Sequence, residues 1–539
     1  NEAESAGNEI EKTDKKTAAS KALAVHPAIR YSLYVLVLAI SFVFFTQKIV
    51  FINADLGRHI KNGEVIVNTG KIIPANYYSY TEPDFPVVYH HWGSGVVFYL
   101  IQKIMGFAGL SIIYCLLSAL AVFLLYKTAE NKSHPYVAFL FFILCIPLIA
   151  MRTEIRPEVF SLLFMAIYIY LFELFISSKI HIRTLLITLP LLQLLWVNLH
   201  IFFVFGLIIA GVYIAYIWWL RKNKETNKWL LLLSGLLIGV CFINPYGLQG
   251  VLTPLTIFNN YAYMVAENQS VFFMQNRFGN GVYIHYEVVT LLTVLLMLWY
   301  LKKSGFKPGT VWFVLVLLLL FVASGYKAIR LIPFAGAMLL AFAPGIFMPL
   351  TANSGAGFKK SLTILSLIAA IVLTMVYFAK KDTYLSLKKS GRGFGIYKGI
   401  NNSADFFKAN HFKGPVFNNY DIGGYLIYHL FPENRVFIDN RPEAYSTDFF
   451  EKVYNPMLEK ETVWQQFDKK YQFNCIYFFR LDETPFGQPF IIKRINDRGT
   501  WAPVYVDDAA IILLKRNARN QSLIQQYELP PETFVVTKN

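Results

Sequence analysis

The chain has 539 residues, 55% of them hydrophobic and 17% aromatic, with a mean hydropathy of +0.43. Soluble domains do not run that apolar, so the composition excludes an ordinary soluble enzyme and points to a multi-span membrane protein. The formal charge of +16 lies mostly in short Lys/Arg clusters between apolar runs, a pattern that marks membrane topology rather than a nucleic-acid partner.

Residues 1–28 are expected to form a cytoplasmic tail, with Asn1–Ala24 too polar to bury a core and therefore disordered. A transmembrane domain over 29–380 follows. Its first span, Ile29–Phe51, is longer than a signal-peptide core and lacks a small-x-small cleavage site, so it is expected to remain as an anchor. Next comes the first external loop, 52–106, whose Gly57, Gly63, Gly70, Pro74, Pro83 and Pro86 describe a folded segment with a short helix near Leu56–Asn68. Gly93–Met105 is amphipathic and predicts an interfacial helix.

Ten further spans are predicted: Phe107–Lys127, Pro135–Met151, Pro157–Ser177, Thr184–Leu199, Ile201–Leu220, Trp229–Asn244, Ile284–Leu301, Thr310–Gly325, Ala328–Met348 and Ser361–Ala379. With the first, that makes about eleven. The loops assigned inside carry 13 Lys/Arg in 41 residues, and the segments assigned outside carry 9 in 102. This bias places the N-terminus inside and the C-terminus outside. Thr184–Leu220 must supply two spans from 37 residues, so either the pair is short or its turn at Trp196–His200 lies below the surface. Thr253–Tyr283 is weakly apolar and predicts a partly ordered external loop. From 381 to 539 the pattern changes to short apolar runs (Pro415–Phe417, Tyr425–His429, Arg435–Asp439, Cys475–Phe479, Val504–Leu514) around a helical stretch near Pro442–Tyr471. That predicts an extracytoplasmic α/β domain. The cysteines Cys115, Cys145, Cys241 and Cys475 are far apart and suggest neither a disulfide framework nor a zinc site.

This topology gathers Asp55, His59, His90, His91, Arg152, Glu154, Arg156, Glu158, Asn198, His200, Asn244, Tyr246, Lys327 and Arg330 at or near the outer ends of spans, as one polar cavity beneath the first loop. A carboxylate at the mouth of a span is costly and marks function, although Asp55 could instead cap the helix that follows it. Arg152, Glu154, Arg156 and Glu158 could form a local ion-pair cluster, and Lys327 could snorkel to headgroups. Asn198 and His200 could satisfy backbone groups at a membrane turn. His90-His91 lacks a third ligand at metal-like spacing.

The pattern Asp55-Leu-Gly-Arg-His59-Ile-Lys-Asn-Gly63, Gly70-Lys-Ile-Ile-Pro74 and His91-Trp92 resembles the first external loop of a bacterial branch of the GT-C membrane glycosyltransferases, relatives of protein O-mannosyltransferases and the aminoarabinose transferase. Arg152 with Arg156-Pro157, Trp196-Val-Asn198-Leu-His200, Asn244-Pro245-Tyr246-Gly247, Arg330, Asn418–Tyr425 and Asp439-Asn-Arg441 extend the resemblance over about residues 51–510. It implies a transferase in the bacterial cytoplasmic membrane that takes sugar from a polyprenyl-phosphate donor to a protein, lipid or glycan acceptor. Asp55 would be the base or acceptor-positioning group, and Arg330, Arg152, Arg156 and Lys327 the donor-phosphate ligands. His59, His90, His91, Glu154, Asn198 and His200 would line the acceptor side. Family members often pair the first-loop acid with a second acid, whereas here Leu56, Gly57 and Arg58 follow it; no cofactor is expected and a divalent metal is not favoured. The rival expectation is a non-catalytic scaffold of this fold that assembles envelope proteins through its external domain.

Overall fold

The computed structural model describes residues 26–220, 223–256, 261–304, 310–350, 356–384 and 391–534, so the predicted disordered tail lies outside the described residues. Helix α1 (Pro27–Phe45) opens with proline in its first turn, and His26 Nδ1 accepts from the Ala28 amide at 3.3 Å. There follow α2 (Leu56–Thr69), α3 (Trp92–Lys132), α4 (Pro135–Ile149), α5 (Glu158–Ile176), α6 (Ile182–Leu199), α7 (Phe203–Leu220) and α8 (Lys224–Val240). Then come α9 (Leu248–Thr256), α10 (Val271–Phe278), α11 (Gly281–Ser304), α12 (Thr310–Lys327), α13 (Ile332–Leu350) and α14 (Ala356–Ala379).

Among the described residues eight helices are long and apolar enough to cross a membrane: α1, α3, α5, α6, α7, α11, α13 and α14. Helices α4 and α12 are apolar but shorter, and α8 begins with the polar Lys224-Glu225-Thr226-Asn227-Lys228. All eleven predicted segments are thus helical, but eight qualify as spans by length and composition. The protein is a multi-pass membrane protein. Helix α3 is broken at Gly106 (φ 67°, ψ −172°), which separates the amphipathic piece expected over Gly93–Met105 from the span behind it. Helices α6 and α7 are short, at 18 residues each, and the turn between them, His200-Ile201-Phe202, is buried in the protein.

Two buried glutamates tie the helices together at the end opposite the C-terminal domain. Glu130 on α3 pairs with Arg30 (2.8 Å) and Lys127 (2.8 Å) and accepts from Tyr34 (2.7 Å). Glu173 on α5 pairs with Lys132 (2.6 Å) and accepts from Tyr213 on α7 (2.6 Å). Each carboxylate meets cations and a tyrosine hydroxyl from neighbouring helices, which offsets part of the cost of its burial.

The C-terminal domain contains α15 (Asn402–Ala409), β1 (Val416–Asn418), α16 (Gly423–Leu430), α17 (Glu461–Tyr471), β2 (Cys475–Phe479), α18 (Gly487–Asn496), β3 (Trp501–Val506), β4 (Ala510–Lys515) and α19 (Gln521–Tyr527). The strand order is β1-β2-β4-β3, with β1 parallel to β2 and the other pairs antiparallel. Trp464 packs against Phe417 and Phe490 (ring centroids 4.9 Å from each) at its centre. Two predicted strands differ. Tyr425–His429 is helical, because Gly423 and Gly424 do not form a turn; they let α16 approach the 438–440 backbone, where a Cβ on Gly423 would lie 2.4 Å from the Ile438 carbonyl oxygen. Arg435–Asp439 is not a strand of the sheet, because its backbone is satisfied elsewhere. The Asn418 side chain donates to Ile438 O (2.7 Å) and accepts from Phe437 N (2.9 Å), while Val436 bridges to Ser79 of the first loop.

That bridge is part of a larger dock between the C-terminal domain and the first loop. Ser79 and Thr81 donate to Phe437 O (3.0 and 2.9 Å). The buried Asp439–Arg441 pair (2.6 Å) reaches Asn76 (2.9 Å) and the Tyr89 hydroxyl through Arg441. The first loop in turn lies on the bundle because α2 and α3 touch backbone to backbone: a Cβ on Gly63 would fall 2.0 Å from the Gly95 carbonyl oxygen. Overpacking of this kind costs roughly 1–3 kcal/mol. Gly63→Ala is therefore expected to lower the thermal midpoint of the purified protein by several degrees, measured by tryptophan fluorescence; an unchanged midpoint would show that the two helices are not held at this distance.

Candidate active site

Between the bundle, the first loop and the C-terminal domain lies a cavity of about 2100 Å³. Asp55, His59, His90, His91, Glu154, Arg156, Glu158 and Arg330 line it, as do Arg58, Glu267, Asn440 and Glu443. Asp55 occupies the N-cap position of α2 but makes no capping hydrogen bond. Its carboxylate turns instead to two guanidiniums, Arg58 Nη2 and Arg156 Nη1, each at 3.3 Å. The capping alternative is thereby replaced by an ion-pair role.

From Asp55 the charges continue as one network. Arg156 reaches Glu267 (2.8 Å), which also holds Arg152 (2.7 Å); Arg152 reaches Glu158 (3.3 Å), which lies 3.5 Å from Arg330. Arg330 also donates to Asn268 (3.3 Å) and stacks over Phe202. Four guanidiniums meet three carboxylates in this network, and the charge of Glu154, which also lines the cavity, acts on Arg152 and Arg156. The Nε atoms of Arg58, Arg156 and Arg330 have no hydrogen-bond partner among the described residues. Burial pushes the Glu267 carboxyl up, but Arg152, Arg156 and Arg330 outweigh it and hold it below the ordinary value.

The histidines form a stack beside this network. His59 and His91 rings lie 5.2 Å apart, His90 and His91 3.8 Å, and His91 and His200 5.1 Å. Burial holds His59 and His91 well below the usual imidazole value and His90 at about 3, so all three are neutral at pH 7. Among the described residues no three His, Cys, Asp or Glu side chains converge as metal ligands.

Not every residue expected at the cavity reaches it. Lys327 is exposed and does not line it: after Ala328, the 3₁₀ turn Ile329–Leu331 brings Arg330 inward and leaves Lys327 on the outside. Arg152 supports the wall from behind. His200 is buried behind His91 and bonds Ser161 Oγ (2.7 Å). Asn198 accepts from Trp92 Nε1 (3.0 Å) and donates to Leu194 O and Ile243 O (both 2.9 Å), so it joins α3, α6 and the end of α8. Arg58, Glu267, Asn440 and Glu443 were missed; Arg58 stands three residues after Asp55, a spacing that signals pairing on one helix face.

The cavity wall contributed by the C-terminal domain includes Tyr420 and Asp421. Burial, with Asp482 and Glu483 nearby, pushes the Asp421 carboxyl up to about 7. An acid whose folded pKa is raised holds more protons folded than unfolded, so stability falls as pH rises from about 4 to about 7. Asp421→Asn should accordingly raise the thermal midpoint at pH 8 by more than at pH 4; equal shifts at the two pH values would contradict the burial assigned to this carboxyl.

No family model matches the chain, and no curated protein matches its sequence. Among solved structures, it is similar to the arabinofuranosyltransferase AftD from Mycobacteria, with a TM-score of 0.50 and 12% identity over 92% of this chain and 40% of that one. The fold is that of the GT-C membrane glycosyltransferases. Two further GT-C structures align with it. The Archaeoglobus fulgidus oligosaccharyltransferase, solved with zinc and sulfate, gives a TM-score of 0.48 at 12% identity over 89% of this chain and 73% of that one. ArnT from Cupriavidus metallidurans, solved with undecaprenyl phosphate, gives 0.47 at 10% identity over 90% and 97%.

Proposed function

We propose that the chain is an inverting glycosyltransferase that moves a sugar from a polyprenyl-phosphate donor to an acceptor hydroxyl at the outer face of a bacterial cytoplasmic membrane, with the C-terminal domain on that side. The observation that carries this reading is Asp55 held against Arg58 and Arg156 in an open cavity whose wall continues to Arg330. A scaffold that kept the fold without the chemistry has no need of an open volume lined by charge; the cavity supports the enzyme.

As the glycosidic bond to phosphate breaks, the leaving lipid phosphate gains negative charge, and fixed guanidiniums stabilise that charge without reorganising. Glu267 sits between Arg152 and Arg156 as a donor phosphate oxygen would, so it stands where that anion would bind. The phosphate would take over Arg156 from Glu267 and be flanked by Arg330. On the other side, the acceptor oxygen attacks the anomeric carbon as the carbon–oxygen bond to phosphate breaks, and its proton passes to Asp55. The two arginine contacts at 3.3 Å hold the Asp55 carboxylate in place, and its remaining lone pairs are available to a hydroxyl. The first loop and the C-terminal domain roof the site and keep out water, which would hydrolyse the donor.

Asp55→Asn should reduce transfer from a polyprenyl-phosphate sugar by about 10²–10⁴-fold, the range for loss of a general base, with an unchanged melting profile; a variant with normal turnover would remove Asp55 from the mechanism. Arg330→Ala should weaken undecaprenyl-phosphate binding about tenfold or more, as expected for loss of a charged hydrogen bond. Equal affinity in the two proteins would refute that assignment.

A further inference from the structure

Asp55 has no acidic neighbour in its own motif, yet a second carboxylate enters the same cavity from nearly 390 residues further along the chain. Glu443 lies in the 3₁₀ turn Pro442–Ala444, directly after the buried Asp439–Arg441 pair. That pair anchors the turn rigidly: Arg441 donates to both Asp439 oxygens (2.7 and 2.6 Å), to Asn76 (2.9 Å) and to Tyr89. The neighbouring Asn440 is set against the start of the first loop, since a Cβ on Gly424 would meet both Asn440 Oδ1 (3.0 Å) and the Ala54 carbonyl oxygen (3.1 Å).

The Glu443 carboxyl accepts from its own backbone amide, and burial pushes it above its ordinary value. Glu443 forms no ion pair among the described residues, although Arg58, Arg441 and Asp55 are near enough for their charges to act on it. Asn440 Oδ1 is buried without a hydrogen-bond partner. A buried acceptor left bare costs about 1–3 kcal/mol, which a ligand hydroxyl would recover. The Glu443 charge also acts on two aromatic residues of the cavity wall, Tyr261 and Tyr420; burial and then Glu443 push the Tyr261 hydroxyl up to about 12. Tyr263 packs on Tyr420 with ring centroids 4.1 Å apart.

A carboxylate and an amide oxygen that only accept, next to flat aromatic faces, suit a ligand that offers several hydroxyls and an apolar ring face. We propose that the turn Asn440–Glu443 is the acceptor subsite, and that the acceptor is a carbohydrate whose hydroxyls are bound by Glu443 and Asn440 with its ring against the tyrosine wall. The inference rests on the transferase reading above and adds the class of acceptor. Glu443 orients the acceptor, the attacking oxygen forms its bond to the donor's anomeric carbon, the bond to the lipid phosphate breaks, and the proton goes to Asp55.

The full-length protein is assayed with a polyprenyl-phosphate sugar as donor and with alkyl glycosides or serine peptides as acceptors, beside undecaprenyl-phosphate binding as an independent readout. Wild type should transfer to alkyl glycosides, and Glu443→Gln should raise KM for the glycoside about tenfold, the equivalent of one charged hydrogen bond, while KM for donor and affinity for undecaprenyl phosphate change less than twofold. Asn440→Ala should act in the same direction, and retained lipid-phosphate binding shows that either variant is folded. An unchanged glycoside KM, or transfer to the peptides and not the glycosides, would overturn the subsite while leaving the donor reading standing. A wild type that binds no lipid phosphate and transfers to neither acceptor would overturn both.

Discussion

The constraint on which the structure depends is the burial of charge where the helical bundle meets water. The network from Asp55 through Arg156, Glu267, Arg152 and Glu158 to Arg330 draws on α2, the loop after α4, the start of α5, the segment before α10 and the turn before α13. Ion pairs of this kind contribute little net stability, because desolvation offsets most of the attraction. What they fix is position. Removing any one member leaves an uncompensated charge, so five separate segments are held in one register around a cavity that no single segment could define.

The two ends of the bundle use charge differently. At the end away from the C-terminal domain, Glu130 and Glu173 pair with Arg30, Lys127 and Lys132, accept from two tyrosine hydroxyls, and act as ties between helices. At the domain-bearing end the pairs are longer, at 3.3 to 3.5 Å for Asp55 and for Glu158, and several guanidinium nitrogens have no partner among the described residues. The first arrangement ties helices to one another, whereas the second lines a cavity and has guanidinium donors left over. The roof follows the same division: Arg441 is bonded to Asp439, Asn76 and Tyr89 and anchors the domain to the first loop, while among the described residues Asn440 Oδ1 has no hydrogen-bond partner and Glu443 no ion pair.

Much of this was legible in the sequence. Apolar run lengths gave the helices, and the 37 residues from Thr184 to Leu220 allowed either a short pair or a sunken turn, of which the structure has two 18-residue helices and a buried turn at His200. Asp55 stood out because a carboxylate at a helix mouth has few bland roles. Resemblance drew attention to Arg156 and Arg330. What failed did so for local geometric reasons: only two residues separate Lys327 from Arg330, and a change of backbone conformation at Ala328 decides which faces inward. The 435–439 segment carries a strand's composition, but an asparagine side chain and the first loop satisfy its backbone in place of the sheet. Asn440 lies within the Asp439-Asn-Arg441 motif that helps carry the resemblance, but neither it nor Glu443 is marked in the sequence as a cavity residue, since the pattern there also fits a turn closed by an ion pair.

The most direct test of the account is an experimental structure of the protein with undecaprenyl phosphate bound. The account predicts the phosphate between Arg156 and Arg330, with the Glu267 carboxylate displaced from Arg156 and Asp55 facing the phosphate across the cavity. A phosphate seated elsewhere, with Glu267 still bridging Arg152 and Arg156, would contradict it.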